Sequence, residues 1–208
     1  MDQLYPITLQ LKGKKVVIVG GGKVARRKLS SLVDSKAEIT IISPELAFDL
    51  QMFTQTLNIK WIKRPFQSED IIGAFLVIAA TNSKETNTAV RESVNEYQLL
   101  NIADDPEHSN FHLPSTLRRG GLSISVSTSG ASPILARKIR TKLEESFDQD
   151  YISYIDFLAK ARETILNEVT EQDKKRWLLE EITDTRFLYM QDREQELQRL
   201  LLSTKETL

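Results

Sequence analysis

The sequence predicts an α/β fold in which a parallel sheet is followed by a strand–helix region and a small C-terminal helical domain. Over the first half of the chain, apolar strands alternate with helical segments, which is typical of βαβ crossovers and a parallel sheet covered on both faces. From Asp150 onward the chain is charged and its apolar residues recur with a helical period. We therefore expect domains at 1–113, 114–149 and 150–208.

The first element is a β-branched strand at Lys15–Val19 that runs into Gly20, Gly21 and Gly22. The residues that follow predict an amphipathic helix. A strand, a tight turn and a helix N-terminus together hold a dinucleotide pyrophosphate, because the N–H groups at the helix start face the anion. We expect Gly20 to allow the turn and Gly22 to let the backbone approach the phosphates. Ala25 stands at the third glycine position of the motif, where a small residue keeps the helix close to the strand.

Further apolar runs predict the other strands of the sheet and the elements that follow it. A helix is expected over 86–96, and a strictly alternating strand over 122–127 leads to a basic helix from Ile134. The tail from Asp150 is expected to form a small helical bundle. The remaining predicted strands are Glu38–Ile42, 59–62, 74–80 and 99–103.

The bulk properties exclude several classes of function. The 208-residue chain contains no cysteine, which excludes disulfides, thiolate nucleophiles and thiolate metal sites. A formal net charge of −1 favours neither nucleic acid nor an anionic membrane as a partner. The N-terminal residues do not have the pattern of a signal peptide, and the apolar runs are shorter than the ~20 residues that cross a bilayer. We expect a cytoplasmic protein with no membrane partner.

Residues at the ends of the predicted strands are candidates for cofactor binding. Nucleotide-binding sheets usually carry an Asp or Glu after the second strand for the ribose hydroxyls, and this chain has Ser43 there, with Glu45 two residues later. Because no arginine follows immediately to bind a 2′-phosphate, NAD is favoured over NADP. Thr81 and Asn82 end another parallel strand at the edge where open sheets bind ligands. For Asn82, a simple strand cap is an equal alternative.

The adjacent carboxylates Asp104 and Asp105 follow the last predicted strand of the sheet. Since consecutive side chains point in different directions, we expect one to face the ligand crevice while the other caps the turn ahead of Pro106. A buried member of the pair could act as a general base. The alternative is that both are solvated turn residues.

A hydroxyl-rich segment, residues 127–133, precedes the basic helix. Ser132 suits a helix N-cap and Pro133 the first helical position. The hydroxyls and backbone N–H groups, together with Arg137, would also receive a carboxylate or a phosphate. Capping and ligand binding both stay open from the composition of this segment. The candidate binding residues are Thr128, Ser129, Gly130, Ser132 and Arg137.

The two histidines, His108 and His112, are spaced as neighbours on a helix face. Pro106 and Pro114 bracket them, which favours a loop. With no cysteine in the chain we expect no preformed metal site, although a labile contact with a metal ion delivered to a substrate stays open.

Taken together, these segments resemble the precorrin-2 dehydrogenase family, which also forms the N-terminal module of siroheme synthases. The resemblance implies NAD-dependent oxidation of precorrin-2 to sirohydrochlorin on a Rossmann-type sheet, with Asp104 as the catalytic group. It places Thr128 at a hydroxyl position associated with the tetrapyrrole site. The chain departs from the family pattern where Ser129 replaces a glycine and Asn82 replaces an Asp. The implied NAD contacts are Lys23, Val24, Pro44 and Glu45, and the matching segments are 17–28, 79–82, 101–106 and 127–137.

The resemblance also has implications for partners and activity. Family members are dimers that pack through the region after about residue 113. A chain without a fused methyltransferase domain is expected to depend on a separate methyltransferase for precorrin-2. Some relatives also insert iron into sirohydrochlorin, and no residue here decides that activity. The alternative functions are a regulatory module that senses NAD without turnover and a dehydrogenase of another small acidic substrate.

Overall fold

The computed structural model describes residues 4–57 and 59–203, and the chain divides into two compact units between Leu113 and Pro114. The first unit is an α/β layer structure, as predicted. Its strands are β1 (Lys15–Val19), β2 (Glu38–Ile42), β3 (Lys60–Ile62), β4 (Leu76–Ala79) and β5 (Leu99–Ile102), and its helices are α1 (Lys23–Ser30), α2 (Phe48–Thr56) and α3 (Lys84–Ser93).

The five strands form one parallel sheet in the order β3-β2-β1-β4-β5. The chain moves outward from β1 to β2 and β3, then returns to place β4 on the other side of β1. This reversal puts a topological switch point at the carboxyl end of β1, where open sheets of this type bind their ligands.

Alternating residues of β1 enter separate cores on the two faces of the sheet. Val16 and Ile18 pack in the cluster that contains Leu29 of α1, whereas Val17 and Val19 pack in the cluster that contains Val90 of α3. Because β1 is covered on both faces, consecutive β-branched side chains are buried on alternate sides of it. The predicted two-sided burial of the sheet is confirmed.

The second unit begins with an antiparallel hairpin and continues as helices. In the hairpin Arg119 pairs with Leu122, so Gly120 and Gly121 make the turn. The helices after the first enclose a core around Phe187 and Ile165, which confirms the helical tail. The elements are β6 (Ser115–Arg119), β7 (Leu122–Val126), α4 (Pro133–Ser146), α5 (Asp150–Glu168), α6 (Gln172–Glu181), α7 (Thr185–Tyr189) and α8 (Arg193–Ser203).

Some elements differ from the sequence prediction for local reasons. The polar strand β6 was not predicted, because Leu117 is its one buried residue and alternation is therefore absent. Helix α2 was also missed, since its apolar residues are not confined to one face and only Leu50 and Thr54 are buried. Helix α3 begins before the predicted start because Ser83 caps it, with Oγ accepting from Thr86 N at 3.1 Å.

Within the described ranges, each helix is either too short or too polar to cross a bilayer.

Candidate active site

The glycine turn after β1 is built so that each glycine has a separate reason to be there. Gly20 adopts a φ of +123°, a conformation that L side chains rarely take. Its N–H donates to Ile42 O at 2.9 Å, and a Cβ at this position would overlap Ala80 O. Gly20 therefore lets β1 turn while it remains in contact with the ends of β2 and β4.

Gly21 is covered by the loop that follows β2. A Cβ on Gly21 would overlap Glu45 O, and Gly21 O accepts from Ala47 N at 2.8 Å. Ser43 is buried and its hydroxyl donates to the same Glu45 O at 2.6 Å. The side chains of Pro44 and Glu45 are exposed. The predicted cofactor residues of this loop thus lie directly beside the glycine turn.

Gly22 faces open space. It is the N-cap of α1 with an ordinary extended backbone (φ −94°), and a Cβ built on it would meet nothing within 4 Å. Gly22 has no side chain to cap α1, and no acidic residue lies in the first turn of this helix. The N–H groups at Lys23 and Val24 therefore start a helix whose partial positive charge no first-turn carboxylate neutralises, which is the arrangement that binds an anion.

At the end of β4, Thr81 and Asn82 have different surroundings. The Thr81 hydroxyl donates to Asn87 Oδ1 at 2.8 Å and accepts from Ser83 N at 3.2 Å, which ties the strand end to α3. Asn82 is exposed. Ser83, the residue after Asn82, provides the N-cap of α3.

The loop after β5 turns back along the open edge of that strand. Asn110 Oδ1 accepts from Leu100 N at 2.7 Å, and Ser109 Oγ accepts from Ile102 N at 2.9 Å. Asn110 N in turn donates to Leu100 O at 3.0 Å. These bonds pair backbone N–H and C=O groups on the open edge of β5. The exposed Asp104 lies in the reversal immediately after this strand.

Asp105 has the turn-capping role that was expected for one of the adjacent carboxylates. It accepts from the backbone N–H of His108 at 3.2 Å, and its other oxygen lies 2.7 Å from His108 Nδ1. Desolvation raises the pKa of Asp105, but the hydrogen bonds from His108 outweigh it and the pKa falls below its ordinary value. His108 and His112 lie in this loop, and the residues that the structure describes include no group of three or more potential metal ligands.

One charged residue at this edge was missed by the sequence reasoning. Lys28 Nζ donates to Asn101 Oδ1 at 2.9 Å, and Asn101 is buried in β5. Burial, followed by the charge of Arg27, lowers the pKa of Lys28, while the charge of Asp104 opposes this change. A signal was present, because Lys28 is three residues after the buried Ala25 and therefore lies on the inner side of α1.

In the hydroxyl-rich segment, the hydroxyls of Thr128 and Ser132 accept hydrogen bonds at the start of α4. Ser132 Oγ accepts from Leu135 N at 3.1 Å, and Thr128 Oγ1 accepts from Ser132 N at 3.0 Å. In both cases the hydroxyl is the acceptor, so its proton remains available for a ligand. Capping and ligand binding are therefore compatible. Ser129 has a φ of +50° and Gly130 a φ of +87°, so Ser129 takes a left-handed conformation that a glycine prefers.

Only some arginines of the second unit are available to bind an anion, because others have partners within the protein. Arg137 and Arg118 are exposed. Arg119 donates through Nε to Phe147 O at 2.8 Å, and Arg140 pairs with Glu144. Of these arginines, Arg137 follows the hydroxyl-rich segment most closely in the chain and is free to meet an anion.

Comparison with known proteins gives consistent matches along the chain. An NAD(P)-binding family model matches residues 7–115, a model for the central region of sirohaem biosynthesis proteins matches 119–146, and a model for the SirC C-terminal domain matches 151–196. The chain is 35% identical to precorrin-2 dehydrogenase of Bacillus subtilis (strain 168), over 76% of this chain and 98% of the relative. It is 30% identical to precorrin-2 dehydrogenase of Priestia megaterium, over 88% and 91% respectively.

A solved structure, that of the precorrin-2 dehydrogenase SirC, is similar along the whole length. The TM-score is 0.82 at 28% sequence identity, with 96% of this chain and 100% of the other covered. The similarity extends over the sheet, the hairpin and the helical tail.

Proposed function

We propose, since the chain belongs to the precorrin-2 dehydrogenase family, that this oxidoreductase of siroheme biosynthesis converts precorrin-2 to sirohydrochlorin with NAD as hydride acceptor. The observation that carries the proposal is the placement of three features at one edge of one sheet. The uncapped start of α1, the exposed Gly22 and the Asp104 loop all follow carboxyl ends of parallel strands. The matches to precorrin-2 dehydrogenases along nearly the whole chain support precorrin-2 as the substrate.

The residues around the glycine turn fit a dinucleotide. The N–H groups of Gly22, Lys23 and Val24 would bind the pyrophosphate, because Gly22 leaves the backbone open to contact. Ser43, Pro44 and Glu45 would line the ribose on one side of the switch point, and Thr81 and Asn82 would face the cofactor on the other. When bound, NAD supplies an electrophilic nicotinamide carbon that accepts a hydride.

We favour NAD over NADP because of the charges after β2. Glu45 and Asp49 both follow this strand, and Asp49 holds Arg26 in an ion pair at 2.9 Å. A 2′-phosphate would therefore meet carboxylates where an NADP enzyme places a free arginine. Turnover rates with each coenzyme at equal concentration test the preference. A higher kcat/KM with NADP would reverse it.

Asp104 is proposed as the catalytic base. Oxidation of precorrin-2 removes a hydride and a proton, and the proton needs an acceptor close to the reacting carbon. β5 is two strands from β1, so Asp104 lies roughly 10 Å along the edge from the glycine turn, on the β4 side of the switch point. A dinucleotide whose pyrophosphate is on α1 can extend its nicotinamide over that distance.

The second unit is proposed to hold the carboxylates of precorrin-2. The hydroxyls of Thr128 and Ser132 keep their protons free for donation, and carboxylates are acceptors only. Ser129, Gly130 and Arg137 complete this proposed substrate segment, with Arg137 as the charged contact.

The test of this function is anaerobic turnover of precorrin-2 by the purified chain. The proposal predicts NADH and sirohydrochlorin in equal amounts. NAD binding without NADH formation would instead favour the alternative of a nucleotide-sensing module. A parallel reaction with sirohydrochlorin and ferrous ion tests whether iron insertion accompanies oxidation.

We also propose that the enzyme acts as a homodimer in the cytoplasm and receives precorrin-2 from a separate methyltransferase. The dimer is supported by α4, in which Ala136 is the one buried residue while Ile134, Leu135 and Ile139 are exposed. The β6–β7 hairpin is only two strands wide, and such hairpins are marginally stable alone. A second copy of the chain would cover these surfaces.

A further inference from the structure

Trp61 connects the edge strand β3 to the loop that follows β2. Its indole Nε1 donates to Ser43 O at 2.9 Å. In the sheet Trp61 is paired with Ile41, so the indole extends along β2 toward the carboxyl end of that strand. Trp61 is half-buried, and Lys63 Nζ lies 5.6 Å from the centroid of the indole ring. The donor is therefore part of a rigid ring whose orientation is restricted by β3 and by the adjacent cation.

Ser43 uses each of its polar groups inside the protein. Its N–H donates to Ile62 O at 3.2 Å, and its carbonyl accepts from Trp61. Its hydroxyl donates to Glu45 O at 2.6 Å. Because Ser43 is buried, each of these groups would cost free energy if it lost its partner. Two of the three bonds come from β3, so this strand fixes the start of the loop after β2.

The same Glu45 carbonyl packs the loop against the glycine turn. It occupies the space that a Cβ on Gly21 would need. A continuous series of contacts therefore links the Trp61 indole to the turn through Ser43 and Glu45. The next residue of the turn, Gly22, has the open backbone that the proposed pyrophosphate site uses. The position of the loop relative to this site thus depends on a donor in β3.

We propose that Trp61 is a positioning residue for the cofactor, whose indole N–H fixes the loop after β2 in the conformation that receives the adenosine ribose. The inference rests on the proposed NAD site at the glycine turn. A loop that is already in place binds its ligand more tightly, because the observed affinity is reduced by the fraction of molecules in the competent conformation. In this account Trp61 does not touch the dinucleotide, and it acts on the adenosine half of NAD.

A packing role for Trp61 and a role for its N–H group can be separated by two substitutions. Phe keeps an apolar ring but has no donor. His has much less apolar area, but its Nε2 stands at the ring position equivalent to the indole Nε1 and can donate. The packing role predicts that Trp61→Phe is the milder change in every measurement. The positioning role predicts that Trp61→His is the milder change for cofactor binding.

The experiment measures binding of NAD and of ADP-ribose by calorimetry in both variants and in the wild-type enzyme. ADP-ribose lacks the nicotinamide, so it reports on the adenosine half of the site. A pH of about 8 keeps an ordinary imidazole neutral. Thermal unfolding and the kinetics of precorrin-2 oxidation are measured in parallel. Trp177→Phe is the matched control, because it makes the same replacement on α6 in the second unit.

We expect Trp61→Phe to weaken the binding of NAD and ADP-ribose by the same factor, between about threefold and tenfold, which corresponds to the net free energy of one hydrogen bond. The KM for NAD should rise by that factor, while kcat at saturating NAD stays within about twofold of wild type. Trp61→His should recover most of the lost affinity although it unfolds at a lower temperature than Trp61→Phe. Trp177→Phe should bind both ligands as wild type does.

The opposing outcomes are distinct. Wild-type affinity in Trp61→Phe would show that the indole N–H does not position the loop, and it would leave the NAD site intact. Weaker binding by Trp61→His than by Trp61→Phe would mean that Trp61 acts through packing, which also overturns the inference. If the wild-type enzyme binds neither NAD nor ADP-ribose, the proposed cofactor site itself fails.

Discussion

At the scale of single residues, the three glycines after β1 show how one short motif serves the fold and the ligand at the same time. Gly20 lies against Ala80 O and Gly21 against Glu45 O, so the absence of a Cβ allows the segments after β4 and β2 to pack against the turn. Gly22 has no such neighbour and is open. Of these three glycines, only Gly22 has no neighbouring atom that would exclude a Cβ, and the proposed pyrophosphate site would account for its lack of a side chain.

Substitutions in this turn should therefore separate stability from binding. Gly22→Val should fold with a stability loss of no more than about 1 kcal/mol, the cost of a poor N-cap residue, while its NAD affinity falls at least about tenfold because the side chain occupies the phosphate position. Gly21→Ala should instead lower the thermal unfolding temperature clearly, since its Cβ would overlap Glu45 O. Calorimetry with NAD and thermal unfolding check both. Unchanged NAD affinity in Gly22→Val would contradict the pyrophosphate placement.

Much of the site could be predicted from the sequence. The rest could not, because it depends on contacts between distant residues or on a loop without a repeating pattern. The glycine turn and the Ser132–Pro133 helix start depend on local backbone chemistry that adjacent residues encode. The contact between Lys28 and Asn101 joins residues 73 positions apart, so it depends on how α1 packs across the sheet. Likewise, the bonds from Ser109 and Asn110 to β5 could not be inferred from periodicity, because they belong to a loop without a repeating pattern.

At the scale of elements, short connections on the sheet are held by specific polar contacts. The 3₁₀ turn at Ser68–Ile71 inserts the buried Ile71 into one core of the sheet. Asp70 in this turn accepts two hydrogen bonds from Arg64, at 2.8 and 2.6 Å, and one from Gln67 N at 2.9 Å. The hydrogen bond from Arg64, more than any other contact, lowers the pKa of the Asp70 carboxyl below its ordinary value.

This shift predicts a pH-dependent contribution of Asp70 to stability. Because the folded-state pKa is lowered, the contribution is fully present above the ordinary Asp value of about 3.9 and is lost as pH falls through the lowered pKa. Asp70→Asn should be less stable than wild type by about 1 kcal/mol near neutral pH. Denaturant unfolding at several pH values should show this difference shrinking below about pH 4.

The neighbouring Glu69→Gln provides the control for this series, because Glu69 lies in the same turn, is exposed and makes no hydrogen bond to Arg64 among the described residues. It should change stability by only a few tenths of a kcal/mol. A difference between Asp70→Asn and wild type that persists unchanged at acid pH would show that the lowered pKa of Asp70 does not stabilise the fold.

At the scale of the whole molecule, each unit has its own core, and the second exposes apolar surface that its core does not use. Ile134, Leu135 and Ile139 lie on one helix with 68%, 49% and 39% of their surface exposed. Exposed apolar side chains that cluster on one element are typical of interfaces between protein subunits. This pattern supports the proposed homodimer.

The dimer can be tested by sedimentation at several protein concentrations. The wild-type chain should sediment as a dimer, and Ile134→Lys combined with Ile139→Lys should shift it toward monomer, because burying two unpaired ammonium groups at the interface is costly. Leu166→Lys, which alters a comparably exposed apolar residue on α5, should leave the dimer intact. A wild-type chain that is monomeric at every concentration would refute the proposal.

The central proposal is that Asp104, and not its neighbour Asp105, accepts the substrate proton beside the nicotinamide of a dinucleotide whose pyrophosphate binds at the glycine turn. The most direct measurement is anaerobic NADH formation from precorrin-2 by Asp104→Ala and by Asp105→Ala, with NAD affinity measured in parallel. Asp105 caps the His108 turn, so its loss should lower stability while turnover continues. The account predicts that Asp104→Ala binds NAD nearly as wild type but loses turnover by at least about 100-fold. Normal turnover by Asp104→Ala would contradict it.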